Sequence, residues 1–130
     1  MTELTVKTDA HSEFRDITGM IAEKIPDNFT GLCQIYIPHT TASVTINENA
    51  DPDVKHDMIS FLDKLVPWNE KMFRHYEGNS AAHIKSSLMG FSETVPVVNG
   101  RLQLGTWQSI YFCEFDGPRT RKAYLTFISG

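Results

Sequence analysis

The chain lacks most of the features that would put it in a special class. Cysteine is scarce: Cys33 and Cys113 are the only two, each inside an apolar, strand-like run. That pattern points to reduced core thiols rather than a disulfide framework. Basic residues are also few, with 12 Lys and Arg against 16 Asp and Glu, a formal net charge of −4, and no basic run. Duplex nucleic acid and anionic membranes both demand a concentrated basic surface, so neither is expected as a partner. No apolar stretch approaches the roughly 18 residues of a membrane span. Met1 to Val6 carry neither the basic nor the apolar segment of an export leader, and the expected compartment is the cytoplasm. Without export, the sequon Asn28-Phe29-Thr30 carries no meaning. There is no internal repeat, low-complexity segment, Walker loop, dinucleotide fingerprint, nucleophile elbow or Cys-x-x-Cys.

What is present is enough for one core: 130 residues, 41% hydrophobic and 22% charged. Leu4 to Thr8 alternate apolar and polar side chains as a half-buried strand does, and Phe14 to Ile17 suggest a second short one. A helix is expected from Thr18 to Lys24, with Thr18 as its cap and Pro26-Asp27-Asn28 as its breaker. Gly31 to Ile37 and Ala42 to Ile46 are apolar and β-branched, hence strands. Asp51-Pro52-Asp53 is a strong helix start, and Val54, Met58, Phe61, Leu62 and Leu65 then fall on one face until Pro67. After a loop from Trp68 to Gly78, Asn79 or Ser80 caps a second helix ending near Met89 and Gly90. Strands follow at Ser92 to Val97, Thr106 to Phe115 and Thr120 to Ile128, the last two joined as a hairpin through Asp116-Gly117-Pro118-Arg119. The expected architecture is therefore α+β: a single domain, 1–130, with a large antiparallel sheet or sandwich and two to three helices.

Five polar clusters exceed what such a fold needs. Pro38 to Ser43 place an imidazole, His39, and the hydroxyls of Thr40, Thr41 and Ser43 between two strands, where a plain hairpin would carry Asn, Asp or Gly. His39 is a candidate metal ligand or general base. In Asn47 to Asp53 most polar groups serve turns and caps, but Glu48 is not needed for either. Gly78, Asn79 and Ser80 at a helix start leave backbone N–H groups outward as a candidate anion site. His75 and His83 flank it, and with His39 they make a possible three-imidazole ligand set. Gly105, Trp107 and Gln108 offer a flat ring and an amide suited to a heteroaromatic ligand. Arg119 and Arg121 on one corner can clamp a phosphate or reach a neighbouring subunit. His11 and His56 lie apart from these clusters.

Taken in order, His39-Thr40-Thr41-Ala42-Ser43, Asn47-Glu48-Asn49 with Asp51-Pro52-Asp53-Val54, Glu77-Gly78-Asn79 with Ala82-His83, Gly105-Thr106-Trp107-Gln108 and Asp116-Gly117-Pro118-Arg119 resemble the YjbQ family, also called secondary thiamine-phosphate synthases. The resemblance runs over essentially the whole chain. It implies a homotrimer of α+β or sandwich-like subunits, and a weak transferase activity that couples a hydroxymethylpyrimidine pyrophosphate to a thiazole phosphate with release of pyrophosphate. It makes His39, His83 and Glu48 catalytic candidates, and His39, His75 and His83 candidate ligands for a divalent metal, zinc or magnesium. Thr40, Thr41, Gly78, Asn79, Ser80, Trp107, Gln108 and Arg119 become candidates for holding a small phosphorylated heterocyclic substrate. Two other roles fit the same residues: a metal-dependent hydrolase or lyase, and a trimeric metabolite-binding protein without turnover.

Overall fold

A computed structural model describes all 130 residues. The elements in chain order are β1 (Thr2–Lys7), β2 (Glu13–Asp16), α1 (Thr18–Ala22), β3 (Gly31–Tyr36), β4 (Ala42–Glu48), α2 (Pro52–Leu65), α3 (Ser80–Met89), β5 (Ser92–Val98), β6 (Arg101–Leu102), β7 (Gln108–Glu114) and β8 (Thr120–Ser129). They form two antiparallel sheets, a five-stranded one in the order β1-β8-β3-β5-β6 and a three-stranded one in the order β2-β7-β4. The α+β class expected from the pattern is the one observed, and the helices number three.

β7 shows why three layers form. Ile110 and Phe112 point into the main core, which the five-stranded sheet supplies with Leu4, Val6, Cys33, Ile35, Val95, Val97, Ala123 and Leu125. Tyr111, Cys113 and Phe115 point the other way, into a second core with Phe14 and Ala82 against which Met58, Ile59 and Leu62 of α2 pack. A strand apolar on both faces must be covered on both. Here one chain does it, with a sheet on one side and helices on the other. Fully burying a side chain such as Phe112 contributes roughly 1.5–3 kcal/mol. Both cysteines are free and buried, and loss of hydration pushes the Cys33 thiol up to about 11 and the Cys113 thiol up to about 12.

The hairpin expected through Asp116–Arg119 does not form, and the strands on either side of 37–41 are divided as well. β3 lies in the five-stranded sheet and β4 in the three-stranded one, and β7 and β8 are divided the same way. The segments 37–41 and 115–119 therefore carry the chain between sheets, as does 8–12 between β1 and β2. Turn residues mark where a ladder stops; they do not say which sheet the next strand joins. The hairpin that does form with a two-residue turn is β5–β6. Asn99 and Gly100 there have φ of 47° and 78°, the doubly left-handed turn that Asn-Gly favours.

The helix starts differ from expectation in an instructive way. Asp51 caps α2 as anticipated, its carboxylate accepting the Asp53 N–H at 2.9 Å, with Pro52 in the first turn. Thr18 does not cap α1: Ile17 holds that position, and the Thr18 hydroxyl accepts the Ile110 N–H at 2.8 Å instead. α2 itself has no fully buried residue, and Phe61 and Leu65 are 61% and 58% exposed. Its apolar stripe is split, with Met58 and Leu62 on the second core and Phe61 and Leu65 facing out.

Candidate functional site

Three of the inter-sheet crossings, 8–12, 37–41 and 115–119, meet at one end of the molecule, and that junction organises the polar residues. Thr8 N–H donates to the Arg119 carbonyl at 3.0 Å, Gly117 N–H to the His11 carbonyl at 3.0 Å, and Phe115 N–H to the Thr41 carbonyl at 3.3 Å. Between the sheets lies an ion pair, Arg121 of β8 with Glu114 of β7, 3% and 0% exposed. Such a pair is tolerable in an interior only if its remaining valences are filled. Glu114 accepts from the Thr8 hydroxyl at 2.8 Å and the Asp116 N–H at 3.0 Å, and Arg121 donates to the Thr41 hydroxyl at 2.9 Å. Burial raises the Glu114 carboxyl, but the Arg121, Asp116 and Thr8 hydrogen bonds outweigh it and hold it below the usual range. Gly117 lets the crossings close, since a Cβ there would stand 2.4 Å from the Ala10 carbonyl oxygen and 2.7 Å from Glu114 Cγ.

This network assigns structural work to two candidates. Thr41 is buried and spent on Arg121. His39 accepts the Lys122 N–H through Nε2 at 2.9 Å. Its neutral ring therefore carries its proton on Nδ1, which is a donor, and neither nitrogen offers a free lone pair to a metal or a substrate proton. Burial, and then the nearby Arg121, lower the His39 pKa. Thr40 beside it is exposed.

On the outer side of the junction the α3 start is held open. Asn79 occupies the cap position yet makes no side-chain cap. Its Nδ2 donates to Asp116 Oδ2 at 2.9 Å, and Arg119 donates to the same oxygen at 2.9 Å. His11, to which the sequence assigned nothing, stands 3.9 Å from the other Asp116 oxygen and edge-on to Trp68 at 4.5 Å. A turn closed by Gly78 N–H on the His75 carbonyl at 3.0 Å brings His75 back over α3, where it meets His83 edge-on with ring centres 5.6 Å apart. His75, Ser80 and His83 line an open cavity of about 610 Å³, and His75 and Gly78 line a second of about 500 Å³. His75, Gly78, Asn79, Ser80, His83 and Arg119 are thus one neighbourhood.

The expected three-imidazole metal set is not assembled. His75 and His83 are together, but no group of three or more His, Cys, Asp or Glu is gathered to hold an ion. His39, fixed on Lys122, is not part of one. The donor set present does not fit a shared metal.

Glu48, Trp107 and Gln108 are elsewhere. Glu48 pairs with Gln108 at one end of the β4–β7 ladder and Ala42 with Glu114 at the other, and six strand steps separate them by about 20 Å. Gln108 does not present its amide to a ligand; Oε1 accepts the Gly105 N–H at 2.8 Å and closes its own turn. The residues that sequence reasoning passed over, His11, Asp116 and Glu114, owe their importance to crossings that local pattern does not encode.

The whole chain has close counterparts. The family model described as UPF0047 protein YjbQ-like matches residues 2–130. The UPF0047 protein YugU of Bacillus subtilis is 55% identical over 124 residues, covering 94% of each chain. The UPF0047 protein MJ1081 of Methanocaldococcus jannaschii is 54% identical over 127 residues, covering 95% of this chain and 90% of the relative. Among solved structures, a YjbQ/UPF0047-family protein from Clostridium acetobutylicum superposes with a TM-score of 0.93 at 47% identity, covering 98% of this chain and 100% of that one. TT1486 of Thermus thermophilus superposes at 0.94 with 38% identity and the same coverage. Sequence and fold agree over the full length, and the chain belongs to the YjbQ/UPF0047 family.

Proposed function

We propose that the protein is a weak transferase of the secondary thiamine-phosphate synthase kind, acting in the cytoplasm. It joins a hydroxymethylpyrimidine pyrophosphate to a thiazole phosphate and releases pyrophosphate, working as a homotrimer. The observation that carries this reading is the open start of α3. Asn79 is drawn off to Asp116, leaving the first helix amides without a side-chain cap beside Arg119, His75 and His83.

Transfer from a pyrophosphate needs negative charge on the departing oxygens to be neutralised by fixed donors. The N–H groups of Asn79, Ser80 and Ala81 at the start of α3 supply them. Arg119 contributes in part, because Asp116 already takes two of its donors. His83, one turn into α3, is placed to hand a proton to the leaving group, and His75 packs edge-on against it. Glu48, Trp107 and Gln108 belong to the other end of the sheet and take no part in this step.

The test is product formation. Purified protein supplied with both precursors should release thiamine phosphate and pyrophosphate slowly. His83→Ala should abolish this with circular dichroism unchanged, and Arg119→Met should raise KM for the pyrophosphate substrate more than it lowers kcat. No product above the protein-free control would overturn the assignment.

A further inference from the structure

The outward face of α3 is set by its spacing. Ala81, Ala82, Lys85 and Ser86 are buried, so Ser80, His83 and Ile84, at i, i+3 and i+4, turn outward together. Two turns shape the loop before the helix, Phe73 N–H donating to the Glu70 carbonyl at 3.1 Å and Gly78 N–H to the His75 carbonyl at 3.0 Å. Loop and helix together bound the open cavity of about 610 Å³, whose polar lining is Arg74, His75, Ser80 and His83. Its apolar lining is Met72, Phe73 and Ile84, of which Met72 is 77% exposed.

The charge in this cavity is unbalanced. Arg15, Arg119 and Arg121 are spent on Asp9, Asp116 and Glu114, whereas Arg74 has no carboxylate partner. No acidic residue lines the cavity; Glu77 comes within 3.9 Å of His75 but is not part of the lining. The permanent cation that shares a cavity with His83 is thus Arg74. Apolar side chains left wet beside an unspent cation suit a ligand with an anionic end and an apolar body. A carboxylate has two oxygens, and the guanidinium fork of Arg74 alone can use both. The Ser80 hydroxyl and the two imidazoles add further donors, which the three free oxygens of a phosphoryl group can take up.

We infer that Arg74 anchors a small-ring phosphate monoester in this cavity, its phosphoryl group among Arg74, His75, Ser80 and His83 and its ring against Met72, Phe73 and Ile84. The inference deepens the transferase reading and rests on it for the identity of the ester, which is then the thiazole phosphate. Ser80 and His83 border both the α3 start and this cavity. An ester held here lies beside the departing pyrophosphate, the proximity that a transfer between two substrates needs.

The probes are benzyl phosphate, phenylacetate and inorganic phosphate, titrated by calorimetry at neutral pH and constant ionic strength. Benzyl phosphate should bind saturably, with phenylacetate and inorganic phosphate each about tenfold weaker. Arg74→Met should cost the ester about tenfold. Arg101→Met, the same loss of charge at the β5–β6 hairpin, should cost nothing measurable. Met72→Ala with Ile84→Ala should bring the ester down to the affinity of inorganic phosphate, and both side chains are exposed, so circular dichroism should not change. Equal losses in the two arginine variants, or phenylacetate binding as tightly as the ester, would overturn the inference. In turnover, Arg74→Met should raise KM for the thiazole phosphate far more than KM for the pyrophosphate substrate. The two failures are distinguishable: absence of product with ester binding intact strikes the transferase reading alone, and unchanged thiazole phosphate kinetics in Arg74→Met strikes this site alone.

Discussion

His39 links the junction to pH. Its Nε2 holds the Lys122 N–H, and burial followed by the neighbouring Arg121 lowers its pKa from the ordinary 6.5. The folded state therefore resists a proton that the unfolded chain accepts. The sign follows: stability is full above about pH 6.5 and falls as pH drops from there toward the lower folded value, because the unfolded state binds more protons in that window. Glu114 acts further down. Its folded pKa is depressed from 4.5, so its contribution is present above that value and is lost as pH falls below it. Urea midpoints measured from pH 8 to pH 3 should show two declines in the wild type. His39→Gln, which can still accept the Lys122 N–H, should lose the upper decline and keep the lower one. A variant with the wild-type decline between pH 7 and pH 5.5 would show that another group titrates there.

At the scale of elements, α2 is the least anchored helix. None of its 14 residues is fully buried, and it is held by Met58, Ile59 and Leu62 on the second core and by an ion pair from Asp63 to the buried Lys85 of α3. Local opening free energy follows buried apolar contact, so α2 amides should exchange with deuterium well before those of β7 and β8. Asp63→Asn removes the partner of a buried ammonium and should speed α2 exchange by a further factor of about ten while leaving β7 unchanged. Equal protection of α2 and β7 would contradict this account. The helix itself was legible: Asp51-Pro52-Asp53 dictates its start, and Val54, Met58, Phe61 and Leu62 dictate its stripe. What covers the stripe was not, because a period of 3.6 names a face and never its partner. The same limit hid the crossings at 37–41 and 115–119, since the apolar patterns of β3, β4, β7 and β8 are equally satisfied by either sheet. Of the site, His75, Gly78, Asn79 and His83 were legible because they lie close in sequence. Asp116 was read only as a turn residue, and its bonds to Asn79 and Arg119 cross 37 and 3 positions.

At the scale of the whole molecule, assembly depends on which apolar surface one chain leaves open. The doubly apolar strand β7 offers no face to a second chain, because α2, α3 and the five-stranded sheet already cover it. One uncovered apolar surface is the outer side of α2, where Phe61 and Leu65 stand out of a groove of about 680 Å³ lined by Met58, Phe61, Leu62 and Met89. Total exposed area points the same way: 7539 Å² against about 6900 Å² for a closed monomer of this mass. Burying Phe61 and Leu65 would contribute roughly 1.5–3 kcal/mol each, and a carboxylate at either position would add a desolvation cost to every interface formed. In equilibrium sedimentation at micromolar concentration the wild type should run at three times its 14.7 kDa chain mass. Phe61→Glu with Leu65→Glu should run as one chain with an unchanged circular dichroism spectrum, since both side chains are already mostly in water. A wild type at single-chain mass would overturn the trimer. A trimer indifferent to the double substitution would leave the assembly standing and move its contact away from α2, which would then have to keep its apolar stripe for some other partner.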